Sequence, residues 1–234
     1  MTRTKKKFTE APISTANARS LDRKLKSLID LFDNANLTVT IITETWLKEN
    51  DNYNRIKEEL LLGNDIDLIS CNRTGNKRGG GVSIAFKRGL IKLEENKFGK
   101  DGFELVSAFG RFYKEKRIVV FYGVYLPPSL SKGKADRALE IINDNISLIK
   151  AKYESPVIYI AGDFNQFDIN KSFDDHPDIE ICPSPPTREV QPRTSKNSLL
   201  MHIQRFLKMT EQAVCLTICL SLQTTRFQVP IASK

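Results

Sequence analysis

The sequence predicts an α+β domain in which a mixed β-sheet arrangement is covered by helices. Short runs rich in β-branched and aromatic residues have strand length and end at turn residues, and between them apolar residues recur at helical spacing. Some successive strands are joined by a tight polar turn and others by a helix, so neighbouring strands run in both senses. At 234 residues, 40% hydrophobic and 27% charged, the chain is long enough for one well-buried core and has the composition of an ordinary soluble protein.

Taken in order, Arg3, Lys5, Lys6 and Lys7 precede any periodic pattern, and residues 1–11 read as a flexible basic arm. Residues 12–18 read as a short strand. Leu21, Leu25, Leu28, Ile29 and Phe32 then mark an amphipathic helix. Residues 38–43 are β-branched and mostly apolar, as a buried strand requires. A helix near 53–62 leads to a strand at 66–71. Lys77-Arg78-Gly79-Gly80-Gly81 is a turn before a strand at 82–86. Residues 103–113 and 117–125, joined by Lys114-Glu115-Lys116, form an antiparallel hairpin that Pro127-Pro128 closes. Ala135, Leu139, Ile142, Ile146 and Ile149 mark another amphipathic helix, and 156–161 is a short buried strand.

Beyond Pro183, Pro185 and Pro186 the pattern degrades. Gly162 is the last glycine and Asp178 the last aspartate. Residues 199–222 suit a helix, though without one clean apolar face.

The net charge of +8 is uneven. Residues 1–30 hold eight Lys and Arg against three acids, and residues 186–234 hold seven against two, so the middle is slightly acidic. Basic ends can neutralise phosphates, or can simply be solvated tails. The longest apolar stretch, 213–222, is far short of the about 20 residues a membrane span needs. No apolar segment follows the basic start, so no secretory signal is expected. Cys71, Cys182, Cys215 and Cys219 show neither zinc spacing nor a disulfide framework, which makes a reducing, intracellular location the default reading.

Four strand ends carry chemistry. Gly162-Asp163-Phe164-Asn165 follows a buried strand: the acid can orient or deprotonate a water while the amide steadies it, and the same residues also make a plain turn. In Thr43-Glu44-Thr45-Trp46-Leu47 the glutamate can ligate Mg²⁺, a hard cation content with one or two carboxylates, or can open a helix capped by Thr43. Tyr125-Leu126-Pro127-Pro128 offers a phenol that can donate to a phosphate oxygen, or an ordinary sheet tyrosine. Asn17 stands between the first strand and first helix, where it or Ser20 can cap. Arg78 beside its three glycines suits an anion-binding or a hairpin turn.

In order and spacing, Asn17, Glu44, Gly79-Gly80-Gly81-Val82, Tyr125-Leu126-Pro127-Pro128, Gly162-Asp163-Phe164-Asn165 and Pro186-Thr187-Arg188 resemble the endonuclease/exonuclease/phosphatase superfamily, similar to DNase I and apurinic endonucleases. Thr43-Glu44-Thr45-Trp46-Leu47 and the triple glycine look like its LINE-type (non-LTR) retrotransposon branch. The resemblance covers residues 12–188. It implies a four-layer α/β/β/α sandwich of two mixed sheets with outer helices, cleaving phosphodiesters with Mg²⁺ or Mn²⁺. By position Glu44 would hold the metal with Asn17 assisting, and Asp163 would orient or activate the attacking water. Asn165 and Tyr125 would stabilise the transition state; Arg78, Thr187 and Arg188 would contact the substrate. The implied partner is a target-site DNA duplex in the nucleus, alongside a reverse transcriptase domain on the same polyprotein, with no membrane.

The tail, 189–234, departs from the family pattern, which ends in Ser-Asp-His. The two histidines, His176 and His202, do not follow Ser-Asp. A general acid–base group is worth about 10²–10⁴-fold in rate, so little activity is expected. Codons for Leu222-Gln223-Thr224-Thr225 and Leu199-Leu200-Met201 can hide Ser-Asp-His and Leu-Asp in one shared shifted frame, which fits an out-of-frame tail. A sheet lacking its proper last strands would keep an unpaired edge and an incomplete core, and be unstable. Two other readings stand beside the endonuclease: a non-catalytic nucleic-acid-binding remnant, and a phosphatase or nuclease of the same superfamily with another substrate.

Overall fold

A computed structural model describes residues 13–48, 51–73, 79–87, 90–99, 101–112, 118–165, 167, 173, 179–182, 200–204 and 214–219. Among these described residues eleven strands and three α-helices follow one another: β1 (Ile13–Asn17), α1 (Leu25–Asn34, after a 3-10 turn), β2 (Val39–Thr43), α2 (Asp51–Asn64), β3 (Ile66–Cys71), β4 (Val82–Lys87), β5 (Leu90–Phe98), β6 (Glu104–Phe112), β7 (Val119–Tyr125), α3 (Lys132–Lys152), β8 (Val157–Asp163), β9 (Ile179–Cys182), β10 (Leu200–Gln204) and β11 (Val214–Cys219). They form a five-stranded sheet in the order β10-β1-β2-β4-β3 and a six-stranded sheet in the order β5-β6-β7-β8-β11-β9. Both are mixed. β1–β2 and β7–β8 are parallel pairs, while β2–β4 and β6–β7 are antiparallel.

The alternation of side chains along a strand sorts the apolar residues into three layers. Val39 and Ile41 of β2 meet Phe121 of β7 and Tyr159 and Ala161 of β8 between the sheets. Ile42, pointing the other way, packs with Leu25, Leu28 and Phe32 of α1 and Ile56 and Leu60 of α2. On the far side Tyr122, Ile158 and Ile160 pack with Leu139, Ile142, Ile146 and Ile149 of α3. The result is a four-layer α/β/β/α sandwich.

Two expectations need correction, and one strand went unread. Residues 200–204 and 214–219 are strands rather than parts of a helix. β10 pairs antiparallel with β1, and β11 lies parallel between β8 and β9, so the strands beside the expected gap are paired. β5 has no counterpart in the sequence reading: Glu94 and Lys97, exposed along it, obscure its alternation.

Candidate active site

Parallel pairing brings strand ends together. In β1–β2 the register sets Asn17 opposite Thr43, and in β7–β8 it sets Tyr125 opposite Asp163. All four strands therefore deliver a polar residue at their carboxyl ends.

Past Thr43 the chain forms no helix over residues 44–48, so Glu44 is not a helix-opening acid. Glu44 and Trp46 both take left-handed backbone, at φ 54° and 56°. A non-glycine residue pays conformational strain there and needs partners to hold it. They come from both sides: Ser20 and Leu21 donate to the carbonyls of Glu44 and Thr45 at 2.9 Å each, while the N–H groups of Thr45 and Trp46 donate to the carbonyls of Gly81 and Gly80 at 3.3 and 3.0 Å. Gly79, Gly80 and Gly81 all have positive φ. The triple glycine is thus the brace of the Glu44 segment.

The half-buried Glu44 carboxylate has three donors. Oε1 accepts the Tyr125 hydroxyl from the other sheet. Oε2 accepts the Trp46 indole N–H at 2.5 Å and the Gly80 N–H at 3.0 Å. Burial first, then the bond to Glu44 and the charges of Glu44, Asp163 and Glu104, push the Tyr125 phenol far above its ordinary range, so it stays a neutral donor. Asp163 is buried, and its Oδ1 accepts the Asn165 N–H at 3.2 Å. Asn165, also left-handed at φ 49°, donates one amide proton to the Leu126 carbonyl at 2.7 Å. The structure thus gathers Glu44, Tyr125, Asp163 and Asn165, with Asn17 across from the residue preceding Glu44. Arg78, Thr187 and Arg188 lie outside the described residues, as does His176. His202 lies on β10, its backbone opposite Thr15.

Glu104 is the acid that the sequence reading missed. It opens β6 opposite Tyr125, is 2% exposed, and lies 3.7 Å from the Arg73 Nε. Burial, opposed by Arg73, pushes its carboxyl up to about 7. A lone acid heading the apolar run after Phe103 was the available signal.

The donors fit a hard divalent cation. Asn17 Oδ1 is buried without a hydrogen-bond partner, and it stands beside the Glu44 segment as a second oxygen donor. Among the described residues no group of three or more His, Cys, Asp or Glu gathers as a metal cage.

A four-layer sandwich with an acid, an amide and a phenol at the carboxyl ends of its central strands defines the DNase I-like class. Within that class, the chain belongs to the endonuclease/exonuclease/phosphatase family, whose model matches residues 14–195. No curated protein matches the chain. Among solved structures, TDP2 from Caenorhabditis elegans is similar at TM-score 0.51 and 14% identity, over 68% of this chain and 48% of that one. The chain thus spans about half the length of that relative. An endonuclease/exonuclease/phosphatase family protein from Bacteroides thetaiotaomicron aligns at TM-score 0.55 and 11% identity, over 76% and 75%. Danio rerio TDP2 complexed with a single-strand DNA product aligns at 0.50 and 16%, over 72% and 65%. At these identities the likeness is one of fold. No helix among the described residues is long and apolar enough to cross a membrane.

Proposed function

We propose that this chain is a metal-dependent phosphodiesterase of the LINE-type retrotransposon branch, built to nick a target-site DNA duplex, and that its rate is low because no Ser-Asp-His follows the matched region. The observation that carries the reading is the convergence of Glu44 and Tyr125, from two different sheets, on one hydrogen bond beside Asp163 and Asn165. The branch assignment is supported by use: Trp46 and Gly80, parts of the two segments that resemble it, are both donors to Glu44.

In this reading Glu44 and Asn17 hold Mg²⁺ or Mn²⁺, which neutralises charge on the phosphate when bound. Asp163, anchored by the Asn165 N–H, orients the attacking water and takes its proton. Tyr125 keeps its own proton and, with substrate bound, turns it from Glu44 Oε1 to a phosphate oxygen, where the second amide proton of Asn165 also donates. Arg78, Thr187 and Arg188 contact the DNA backbone. The setting is the nucleus, with a reverse transcriptase domain on the same polyprotein as partner.

The test is nicking of supercoiled plasmid with Mg²⁺ or Mn²⁺, beside a small phosphate monoester. Weak, metal-dependent nicking that Glu44→Gln and Asp163→Asn both abolish is expected; turnover of the monoester alone would move the chain to a phosphatase. The missing Ser-Asp-His and the basic ends favour a second reading, a non-catalytic nucleic-acid-binding remnant. It requires salt-dependent DNA binding that survives Asp163→Ala, with no nicking. The tail is proposed to be out of frame. Sequencing gene and transcript across codons 183–234 is expected to show a shift of one or two bases, and an intact frame refutes it.

A further inference from the structure

We propose that the pair formed by half-buried Arg73 and buried Glu104 is a positioning device for Glu44, acting through the glycine turn; the inference rests on Glu44 being the metal carboxylate. Arg73 leaves the end of β3 in one sheet and Glu104 opens β6 in the other, so the pair ties the sheets together behind the turn. Both side chains are pressed on Gly80. A Cβ there would lie 2.8 Å from Arg73 Cδ and 3.3 Å from Glu104 Oε1.

A backbone bond from Gly81 favours the Glu104 carboxylate, while the carbonyls of Gly80 and Gly81 hold Trp46 and Thr45 and the Gly80 N–H holds Glu44 Oε2. One dipeptide is therefore gripped from behind by Arg73 and Glu104 and grips Glu44 in front. The same Glu104 sits in register with Tyr125, the donor to Glu44 Oε1. Glu104 thus backs donors to both carboxylate oxygens.

Stability alone is a poor reason for the pair. An ion pair with one buried partner carries that partner's desolvation penalty, and here Glu104 Oε2 is buried with no hydrogen-bond partner. Outer residues that orient a metal carboxylate, by contrast, commonly govern ion affinity.

Trp46 is the sole tryptophan and donates to Glu44, so terbium(III), an oxygen-seeking ion, should be sensitised by that indole when bound. Titration of the full chain with terbium, using Glu44→Gln as background, measures the site without turnover. Expected is a roughly 10- to 100-fold weaker terbium affinity in Glu104→Gln, with unchanged far-ultraviolet circular dichroism, and a smaller loss in Arg73→Lys, which keeps the charge but loses the planar Nε contact. Wild-type affinity in a folded Glu104→Gln overturns the proposal. Should that variant fail to fold, Arg73→Lys decides, and wild-type affinity there overturns it equally. Failure of the wild-type chain to bind terbium above the Glu44→Gln background would instead refute Glu44 as the metal carboxylate.

Discussion

At Glu104, burial disfavours the anion more than Arg73 favours it, and the folded carboxyl holds its proton to about pH 7 against 4.5 for the free side chain. The folded chain takes up that proton where the unfolded chain does not. Stability from this group is therefore full below about pH 4.5 and is lost as pH rises through about 7. Between pH 5 and pH 8 the gap in unfolding free energy from urea titration between wild type and Glu104→Gln should shift by on the order of 3 kcal/mol, wild type gaining at low pH. A pH-independent gap would contradict this. Tyr122 poses a simpler case, because its hydroxyl is buried with no hydrogen-bond partner. Tyr122→Phe should raise stability by about 1 kcal/mol in the same assay, since nothing is lost but an unsatisfied group. Asn17, Glu44, Tyr125, Asp163 and Asn165 were legible in the sequence because strand ends are where polar residues interrupt apolar runs. Arg73 and Glu104 were not, because their importance lies in a contact between sheets that no local pattern records.

Strands were legible where both faces are buried. Val39–Thr43, Ile66–Cys71 and Val119–Tyr125 are nearly or wholly buried and read as runs dominated by apolar, β-branched or aromatic residues. An edge strand such as β5 carries charge on its open face and gives no such signal. Gly162 shows a subtler error. The sequence reads Gly162-Asp163 as the turn after a strand, yet both belong to β8, and a Cβ on Gly162 would lie 2.7 Å from the Val124 carbonyl carbon and closer still to its oxygen. Glycine is there to let β7 and β8 approach. Gly162→Ala should separate Tyr125 from Asp163 and cost more than about 4 kcal/mol, read as lost cooperative melting. A melting temperature within a few degrees of wild type would refute the close approach.

The sandwich as a whole depends on the layer between its sheets. Phe121 is fully buried there and stacks on Tyr159, with ring centroids 5.4 Å apart and planes 10° from parallel. Phe121→Ala should cost about 3–5 kcal/mol in urea denaturation. It should also loosen Glu44 from Tyr125, since the two reach each other only because the sheets are pressed together; an unshifted urea midpoint would count against both statements. The layering itself was implied in the sequence by the family resemblance rather than by periodicity, which shows strands but not how they partition into sheets.

Apart from β10, the first sheet is drawn wholly from residues 13–87, and the second begins at Leu90. A cut between Lys87 and Leu90 leaves Asn17, Arg73 and Glu44 on one piece and Glu104, Tyr125 and Asp163 on the other, each with its own sheet. β10 travels with the second piece and must cross back to pair with β1. Such halves, fused to two proteins that bind each other, would act as a complementation reporter: silent when separate, and nicking plasmid only once Glu44 and Asp163 are reunited.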